Sequence, residues 1–309
     1  MNEQTAKSLV AKGVCKAYGK KQVLHNLDLT LEPGRIYGLI GRNGAGKTTL
    51  LGILTAQNTL DAGTVAYGGA PVWENPAALA DICFSRELSP NLLMGQNTLK
   101  VRDYLRAARV YYPHWDEEYA KRLIAEFGLE TKTKIYKLSK GMLSMVTIVL
   151  ALASRAPLTI LDEPVAGLDV VARERFYQLL LEDQMATGRS FVVSTHIIEE
   201  AAAVFEEVVL LDEGHIIEKC PTDELVSQFC CVCGHEQAVS ALCAALGADP
   251  LEAQALGRQK AVTLRVSAER AGQAAAEQGL DLDISALNLQ KVFVALCGHE
   301  HAMPAQKGA

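Results

Sequence analysis

The first half of the chain alternates between strand-like and helix-like patterns of hydrophobic positions. Residues 23–31 (V-L-H-N-L-D-L-T-L) alternate apolar and polar side chains, which predicts a half-buried strand. Residues 36–40 form a short apolar run that predicts a buried strand, followed by a glycine loop and a helix that begins near Lys47. Two further β-rich runs, 158–161 and 191–194, each precede a helix-like stretch. Strands that alternate with helices predict an α/β fold with a mostly parallel sheet covered on both faces.

Residues 88–155 depart from this alternation and are mainly helical in pattern. Amphipathic periodicity over 101–111 and 117–127 predicts two helices, so the segment is interpreted as a helical insertion between two sheet strands. The longest nearly apolar run, 142–153, spans about 12 residues, whereas a membrane-spanning helix needs about 20. We therefore expect a buried helix there.

The composition of the chain changes after about residue 217, where an alanine-rich tail begins. The tail is interpreted as a small α+β domain with strands at 228–233 and 261–266 and helices at 237–246 and 269–278. The sequence therefore predicts two domains, 1–217 and 218–309.

Charge and cysteine content limit the function and the location. The chain has 30 basic and 36 acidic residues, a net charge of −6. It lacks the overall basic charge of a nucleic-acid-binding protein, so we expect no nucleic-acid partner. The N-terminus has no apolar core of signal-peptide length. We expect an intracellular protein whose eight cysteines remain thiols.

The strongest chemical signal is G-R-N-G-A-G-K-T at 41–48, which fits the phosphate-binding pattern G-x-x-x-x-G-K-[ST] between a strand and a helix. The glycines let successive N–H groups curl around phosphate oxygens, and the helix N-terminus adds its positive dipole end. Lys47 is expected to reach the β- and γ-phosphates, and Thr48 to ligate Mg²⁺. The expected nucleotide-binding residues are Gly41, Asn43, Gly44, Ala45, Gly46, Lys47, Thr48 and Thr49.

A second element, L-T-I-L-D-E at 158–163, ends an apolar strand in two carboxylates. In open parallel sheets this edge binds ligands. We expect Asp162 to hold Mg²⁺ and Glu163 to be the catalytic base that polarises the attacking water. Consecutive strand residues point to opposite faces, so both acids can face a nucleotide only where the strand gives way to a loop. A solvated acidic turn is the alternative.

Four more signals accompany these two elements in a fixed order. They are Tyr18, L-S-K-G-M at 138–142, A-G-L-D at 166–169, and His196 after a strand-like run. With these six motifs, residues 8–217 resemble the ATP-binding subunit of ABC transporters. The resemblance implies a P-loop NTPase fold, with a parallel sheet core, an N-terminal antiparallel β part and the helical insertion.

The resemblance also implies a role for each matched residue. Tyr18 would stack on the adenine ring. Ser139 and Gly141 would complete the ATP site of a second subunit, Asp169 would communicate between the two sites, and His196 would contact the γ-phosphate as a catalytic residue. Outside this series, an isolated histidine is more often structural and an isolated tyrosine more often part of a core.

The sequence departs from the family pattern in two places. The motif that usually reads L-S-G-G-Q has Lys140 at its first glycine, where the side chain would add positive charge or merely be exposed. The glutamine that usually precedes the helical insertion is replaced, most simply by Glu87. A carboxylate there would ligate Mg²⁺, but a third acid beside Asp162 and Glu163 would raise repulsion in an empty site.

Taken together, the resemblance implies an enzyme that hydrolyses ATP with Mg²⁺. It would pair with a second copy or another ATP-binding subunit and drive separately encoded transmembrane subunits from the cytoplasmic face of the membrane. The single nucleotide domain and the tail further resemble bacterial export-type subunits. The alternatives are a non-transport ATPase of the same family and a regulatory ATP-binding module with little turnover.

Two features leave alternatives open. The aromatic residues of the helical insertion would either dock the membrane subunit or form the insertion's own small core; they are Tyr104, Tyr111, Tyr112 and Trp115. In the tail, C-G-H-E at 233–236 recurs at 297–300, which would offer soft ligands to zinc. Because buried cysteines are common and no C-x₂-C…H-x₃-H spacing is present, two strand ends are the favoured interpretation.

Overall fold

The chain folds as two units, Met1–Lys219 and Cys220–Ala309. The computed structural model describes residues 7–88, 99–257 and 259–298. The division expected from composition, between residues 217 and 218, falls just before this boundary.

An antiparallel sheet begins the first unit. Its strands follow the order β2-β1-β4-β5. In β2 the apolar residues turn inward, with Leu24, Leu27 and Leu29 buried, as the alternating pattern predicted. The ranges are β1 (Leu9–Tyr18), β2 (Lys21–Leu31), β4 (Ala62–Tyr67) and β5 (Ala70–Pro71).

A six-stranded sheet forms the core of the same unit, in the order β10-β9-β3-β8-β7-β6. Strands β3, β7 and β8 are buried along their whole length, and the pairs that link β9, β3, β8, β7 and β6 are all parallel. The carboxyl ends of these strands therefore meet at one edge. The ranges are β3 (Ile36–Gly41), β6 (Ile82–Arg86), β7 (Leu158–Asp162), β8 (Ser190–Thr195), β9 (Glu207–Asp212) and β10 (His215–Pro221).

Helices connect these strands and pack against them. The predicted α/β fold, with a parallel core and an N-terminal antiparallel part, is confirmed. The helix after the glycine loop contacts β3 and β7, and the longest helix contacts β8. The ranges are α1 (Lys47–Leu54), α2 (Pro76–Ala80), α6 (Val170–Thr187) and α7 (Ile198–Ala201).

The helical segment between β6 and β7 contains α3 (Val101–Tyr111), α4 (Glu117–Glu126) and α5 (Lys140–Ala153). Helix α5 contacts α3, α4 and the strands β6 and β7. It is buried over almost all of its length from Leu143 onward, as its nearly apolar sequence predicted. Across the described ranges, no helix is both long and apolar enough to span a bilayer.

The second unit is a four-stranded antiparallel sheet in the order β12-β13-β11-β14. Its order along the chain, strand–helix–strand–strand–helix–strand, is that of the ferredoxin-like split β-α-β arrangement. The inward face of the sheet packs under α9 and α10 through residues such as Val232, Leu242 and Leu264. The ranges are α8 (Thr222–Ser227), β11 (Cys230–His235), α9 (Glu236–Leu246), β12 (Glu252–Leu256), β13 (Gln259–Leu264), α10 (Ala268–Glu277), β14 (Leu282–Ala286) and α11 (Leu289–Cys297).

The interpretation of the repeated C-G-H-E motif as two strand ends is wrong for its second copy. Cys233 lies in β11, whereas Cys297 is the last residue of α11. His299 and Glu300 lie outside the described residues. Within those residues, no three His, Cys, Asp or Glu side chains are grouped so that they could hold a metal ion.

Candidate functional site

The loop before α1 leaves the N-terminus of this helix open to an anion. Gly46 is the N-cap, in a left-handed conformation with φ of 106°, and no side chain caps the helix. A Cβ atom at Gly46 would lie 2.9 Å from Leu24 Cδ2, so both the conformation and the packing require glycine. By contrast, Ser139 and Asp169 cap α5 and α6 through their side chains. The uncapped N–H groups and the helix dipole of α1 suit a phosphate group.

Lys47 lies folded inside this loop. Its ammonium donates to the carbonyl oxygen of Gly41 at 2.6 Å, and lies 3.8 Å from Glu163 Oε1. Burial lowers the pKa of Lys47, while the carboxylates of Glu163 and Asp162 oppose this shift. Lys47, which the sequence predicts to bind phosphate, is thus surrounded by carbonyl oxygens and carboxylates.

Asp162 ends β7 as a buried carboxylate that receives two hydroxyl hydrogen bonds. Thr48 Oγ1 donates to Asp162 Oδ2 at 2.7 Å, and Ser194 Oγ donates to the other carboxylate oxygen. The structure therefore brings into contact Thr48 and Asp162, the two residues that the sequence analysis expects to hold Mg²⁺. Hydroxyl and carboxylate oxygens are ligands that hard cations prefer.

Glu163 turns away from the strand in an unusual backbone conformation. Its φ is 50°, and its N–H donates to both the hydroxyl and the carbonyl oxygen of Ser194. A left-handed conformation in a residue other than glycine costs about 1–2 kcal/mol and is often found at functional sites. This turn places the Glu163 carboxylate between two partners, with Oε2 2.7 Å from His196 Nδ1 and Oε1 near Lys47.

Tyr18 lies at the end of β1 with its side chain in solvent. It is 52% exposed, and the ammonium of Lys16 lies 5.4 Å from the centre of its ring. Tyr18 is therefore not a core residue, and its ring has surface free for stacking.

The start of α5 forms a second part of the predicted site. Ser139 Oγ accepts a hydrogen bond from Met142 N–H at 3.2 Å. A Cβ atom at Gly141 would lie only 2.6 Å from Gly167 O, so this glycine permits close packing against the 166–169 loop. Asp169 Oδ1 accepts from Ala172 N–H at 2.8 Å and caps α6. Among the described residues, no hydrogen bond or ion pair joins Ser139 to the loop at Lys47.

Glu87 lies at the same sheet edge as the other acids. Arg86 is paired with Asp162 in the register of β6 and β7, and Glu87 follows it. The Glu87 carboxylate is engaged by Lys140, with Nζ 3.1 Å from Oε1. The two departures from the family pattern are therefore in contact with each other.

A groove of about 610 Å³ lies between the end of β6 and α3. Its lining includes Tyr104, Tyr111 and Tyr112. Burial raises the pKa of Tyr104 and of Tyr112, whereas Tyr111 is 77% exposed. Trp115 instead donates its indole N–H to Glu117 at 2.9 Å. The aromatic residues of the helical segment thus divide between interior and surface positions.

Two features of this region were not identified from the sequence. Ser194, which contacts both Asp162 and Glu163, belongs to no recognised motif; its only signal was its place at the end of a strand shortly before His196. The second is a cluster of buried charges at the other end of α5.

This cluster is centred on Asp183, which is fully buried. Arg189 donates to both of its carboxylate oxygens, at 2.7 and 2.8 Å, and Arg155 donates a third bond at 3.0 Å. Arg155 also donates to Asp116, the N-cap of α4, and its guanidinium lies 4.0 Å from the ring centre of Tyr119. Burial is the main cause that raises the pKa of Tyr119 to about 12.

Comparison with known proteins gives a consistent result. The family model described as ABC transporter matches residues 24–166. The chain is 30% identical over 215 residues to the ABC transporter ATP-binding protein YtrB of Bacillus subtilis, covering 69% of this chain and 72% of that protein. It is 32% identical over 215 residues to the taurine import ATP-binding protein TauB of Escherichia coli O157:H7, covering 66% and 80%.

A relative named for export also matches. The chain is 31% identical over 223 residues to the Nod factor export ATP-binding protein I of Cupriavidus metallidurans, covering 71% of this chain and 72% of that protein. A solved structure of an ATP-binding subunit of an ABC transporter superposes with a TM-score of 0.61 at 26% identity, covering 70% of this chain and 91% of that one. Since both importers and an exporter match, the similarity assigns no direction of transport.

Proposed function

Because the chain belongs to the family of ABC transporter ATP-binding proteins, which hydrolyse ATP to power transport, we propose that it drives a separately encoded pair of transmembrane subunits. The observation that carries this proposal is the position of Glu163. One carboxylate oxygen contacts His196 and the other faces Lys47, directly beside the Thr48–Asp162 pair. One edge of the sheet thus holds a candidate base, a lysine suited to phosphate, and two side chains whose oxygens could bind a metal ion.

Mg²⁺ fits this edge as the metal of the proposed reaction. Magnesium is usually bound by one or two carboxylates or hydroxyls together with substrate phosphates, and not by a complete protein cage. Thr48 and Asp162 supply two such oxygens, and Glu87 lies along the same edge. The bound ion would neutralise charge on the phosphates.

Each residue of the site then has a defined task. Lys47 and the uncapped N-terminus of α1 would bind the phosphates, and Tyr18 would stack on the adenine. Glu163 would orient the attacking water and accept its proton, while His196 would hold that carboxylate and contact the γ-phosphate. The hydrogen bonds that the Glu163 N–H donates to Ser194 fix the turn in which Glu163 is held.

A second ATP-binding subunit would complete the site. Ser139 and Gly141 lie at the start of α5, where Ser139 is exposed, and no hydrogen bond or ion pair joins Ser139 to the Lys47 loop of its own subunit in the described part of the chain. We propose that they face the nucleotide of the opposite subunit, either an identical copy or a paired chain. Asp169, which caps α6 beside them, would link the two sites.

The groove between β6 and α3 is the proposed contact for the membrane partner. It combines exposed Tyr111 with the partly buried rings of Tyr104 and Tyr112, a combination suited to receiving a short helix from a membrane protein. This contact would hold the chain at the cytoplasmic face of the membrane.

For the direction of transport we propose export. The proposal is supported by the nucleotide-binding unit joined to a C-terminal unit and by the export protein among the relatives. The taurine and Fe³⁺ import proteins point the other way. Inverted vesicles that contain the complex would test it. An exporter would accumulate a host solute in the vesicle lumen when ATP is added, whereas an importer would empty a preloaded lumen.

Substitution of the proposed base tests the enzymatic proposal. Glu163→Gln keeps the size of the side chain but removes the base, so we expect ATP turnover by the purified complex to fall by about 10²–10⁴-fold. Glu182→Gln, an exposed position on α6, serves as the matched control and should leave turnover unchanged. Equal, negligible rates in wild type and Glu163→Gln, even with the membrane partner present, would favour a regulatory ATP-binding module.

Affinity isolation from detergent-solubilised host membranes tests the partner. We expect a multi-span membrane protein to co-purify in stoichiometric amount, identified by mass spectrometry. Ribosomal proteins or DNA-processing factors in its place would exclude a transporter and leave a non-transport ATPase.

A further inference from the structure

The ion pair between Glu87 and Lys140 joins two segments that serve different nucleotides in the proposed dimer. Glu87 follows β6 at the edge where the subunit's own Asp162 lies. Lys140 is the first residue of α5, beside Ser139, which would face the nucleotide of the opposite subunit. The pair therefore connects the two halves of the catalytic arrangement within one chain.

The position of Lys140 in α5 is not explained by helix formation. A cation at a helix N-terminus lies at the positive end of the helix dipole, which is unfavourable, whereas an anion there is favourable. The Glu87 carboxylate supplies this anion, 3.1 Å from Lys140 Nζ. The pair thus removes an electrostatic conflict that Lys140 alone would create.

The stem of Lys140 is held in place as well. Gly167 has a φ of 78°, and a Cβ atom built on it would lie 2.8 Å from Lys140 Cγ and 3.0 Å from Lys140 Cβ. The methylene groups of Lys140 therefore lie directly over the 166–169 loop. This packing limits the directions in which the ammonium can point, and Glu87 lies in one of them.

Resting on the function proposed above, we propose that Lys140 is a positioning residue that competes with the metal for Glu87. While the Glu87–Lys140 pair is formed, the carboxylate is withheld from Mg²⁺. When Mg²⁺ and nucleotide bind, the Glu87 carboxylate turns towards the metal beside Thr48 and Asp162. The released ammonium of Lys140 then lies beside Ser139, on the surface that faces the opposite subunit. Binding of the metal in one site thereby adds a positive charge to the other.

A Mg²⁺ titration of nucleotide binding tests the competition. The probe is a slowly hydrolysed fluorescent ATP analogue, and the readout is the Mg²⁺ concentration that gives half-maximal binding. Because an exposed ion pair is weak, Lys140→Gln should lower this midpoint by about 1.5- to 5-fold. In the Glu87→Gln background the same substitution should leave the midpoint unchanged, since no carboxylate remains for the metal and the lysine to share.

Lys137→Gln is the matched control, because Lys137 is an exposed lysine close to α5 with no carboxylate partner among the described residues. It should not move the midpoint. High salt should reduce the effect of Lys140→Gln, since screening weakens the pair, whereas a purely structural effect would persist. A shift of equal size in both backgrounds, or none in wild type, would overturn the inference.

Reductive methylation followed by mass spectrometry tests the pair without nucleotide. Lys140 should react about 1.5- to 5-fold faster in Glu87→Gln than in wild type, while Lys137 reacts at the same rate in both. Equal Lys140 rates would show that the pair is absent in solution and would overturn the inference. If wild type binds no nucleotide at any Mg²⁺ concentration, the proposed function fails too; normal binding with an unmoved midpoint removes only the role of Lys140.

Discussion

The two ends of α5 are attached to the rest of the first unit in opposite ways. At its N-terminus, the Glu87–Lys140 pair lies in solvent, with side chains 44% and 58% exposed. Beyond its C-terminus, Asp183 is fully buried and Arg189 is 4% exposed. Arg189 also donates to the carbonyl oxygen of Leu152, in the last turn of the helix.

This difference shows where the helical segment is fixed and where it can change partners. In water, the solvent replaces a lost ion pair at little cost, but a buried charge whose partner is removed stays desolvated. The Asp183 cluster therefore anchors the C-terminal end of α5 to the core. At the other end Gly141 packs closely on Gly167, but the Glu87–Lys140 ion pair is weak and exchangeable. The residues proposed to face a second nucleotide lie beside this exchangeable ion pair.

The largest effect on stability is expected when the central carboxylate of the buried cluster is removed. Asp183→Asn leaves Arg155 and Arg189 without their shared anion, so we expect the free energy of unfolding to fall by about 3–5 kcal/mol. Urea unfolding followed by circular dichroism measures this loss. Glu182→Gln, which removes an exposed neighbour, should cost less than about 1 kcal/mol. A similar small cost for both variants would mean that burial does not distinguish the two ends.

Removal of the bridging arginine should have the next largest effect. Arg155→Met deletes the charged hydrogen bonds to Asp183 and Asp116 but leaves Arg189 in place, so we expect a loss of about 1.5–3 kcal/mol. The backbone N–H of Tyr119, and then Arg155, hold the pKa of Asp116 below its ordinary value.

The same variant has a predicted pH signature. Because the pKa of Asp116 is depressed in the folded state, its stabilisation is present above about pH 4, the unfolded value, and is lost as the pH falls further. Without Arg155 the folded pKa rises, so acid unfolding should begin at a higher pH. The free energy of unfolding measured between pH 2 and pH 5 tests this prediction. Identical pH dependence for wild type and Arg155→Met would show that Arg155 does not lower the pKa of Asp116.

The N-cap of α5 permits a finer test at the exposed end. Ser139→Ala removes the acceptor for Met142 N–H and should cost about 0.5–2 kcal/mol. Ser139→Asn retains a capping side chain and should restore most of this stability. If Ser139 also contacts a nucleotide across the dimer, ATP turnover by the assembled complex should fall in both variants. Full turnover in Ser139→Asn would limit Ser139 to capping.

The smallest expected effect on stability is that of Lys140→Gln. Its ion pair is exposed, and its charge opposes the helix dipole, so unfolding should change by less than about 1 kcal/mol. Thermal denaturation without nucleotide measures it. A loss comparable with that of Asp183→Asn would show that the two ends of α5 are equally important for stability.

Segments whose hydrophobic period fits one element were predicted well from the sequence. Helix α3 spans Val101–Tyr111 as its amphipathic pattern indicated, and α5 is buried as its nearly apolar sequence required. The tail was harder. The short run F-V-A-L-C at 293–297 predicts a strand but forms the end of α11, because a short apolar run fits either period. The tail strands β12 and β14 were not recognised.

In the site, too, residues close together in sequence were easier to identify than contacts between separate elements. The loop at Lys47 is continuous in sequence, so its glycines, lysine and threonine were identified together. The Glu87–Lys140 pair and the Asp183 cluster join side chains from separate elements, and no spacing rule connects them. Both departures from the family pattern were seen in the sequence, but only the fold shows that they are in contact.

The placement of β3 at the centre of its sheet has a consequence for how the protein is made. This strand leads directly into the phosphate loop, yet both of its neighbours, β8 and β9, come from the far end of the same unit. At about 5–20 residues per second, the ribosome delivers them on the order of 10 s after β3. Throughout that interval an apolar strand with two open edges is exposed on the nascent chain. Synthesis therefore imposes an order in which the nucleotide pocket is encoded early and closed late, and a chaperone that covers β3 during this wait should increase the yield of folded protein.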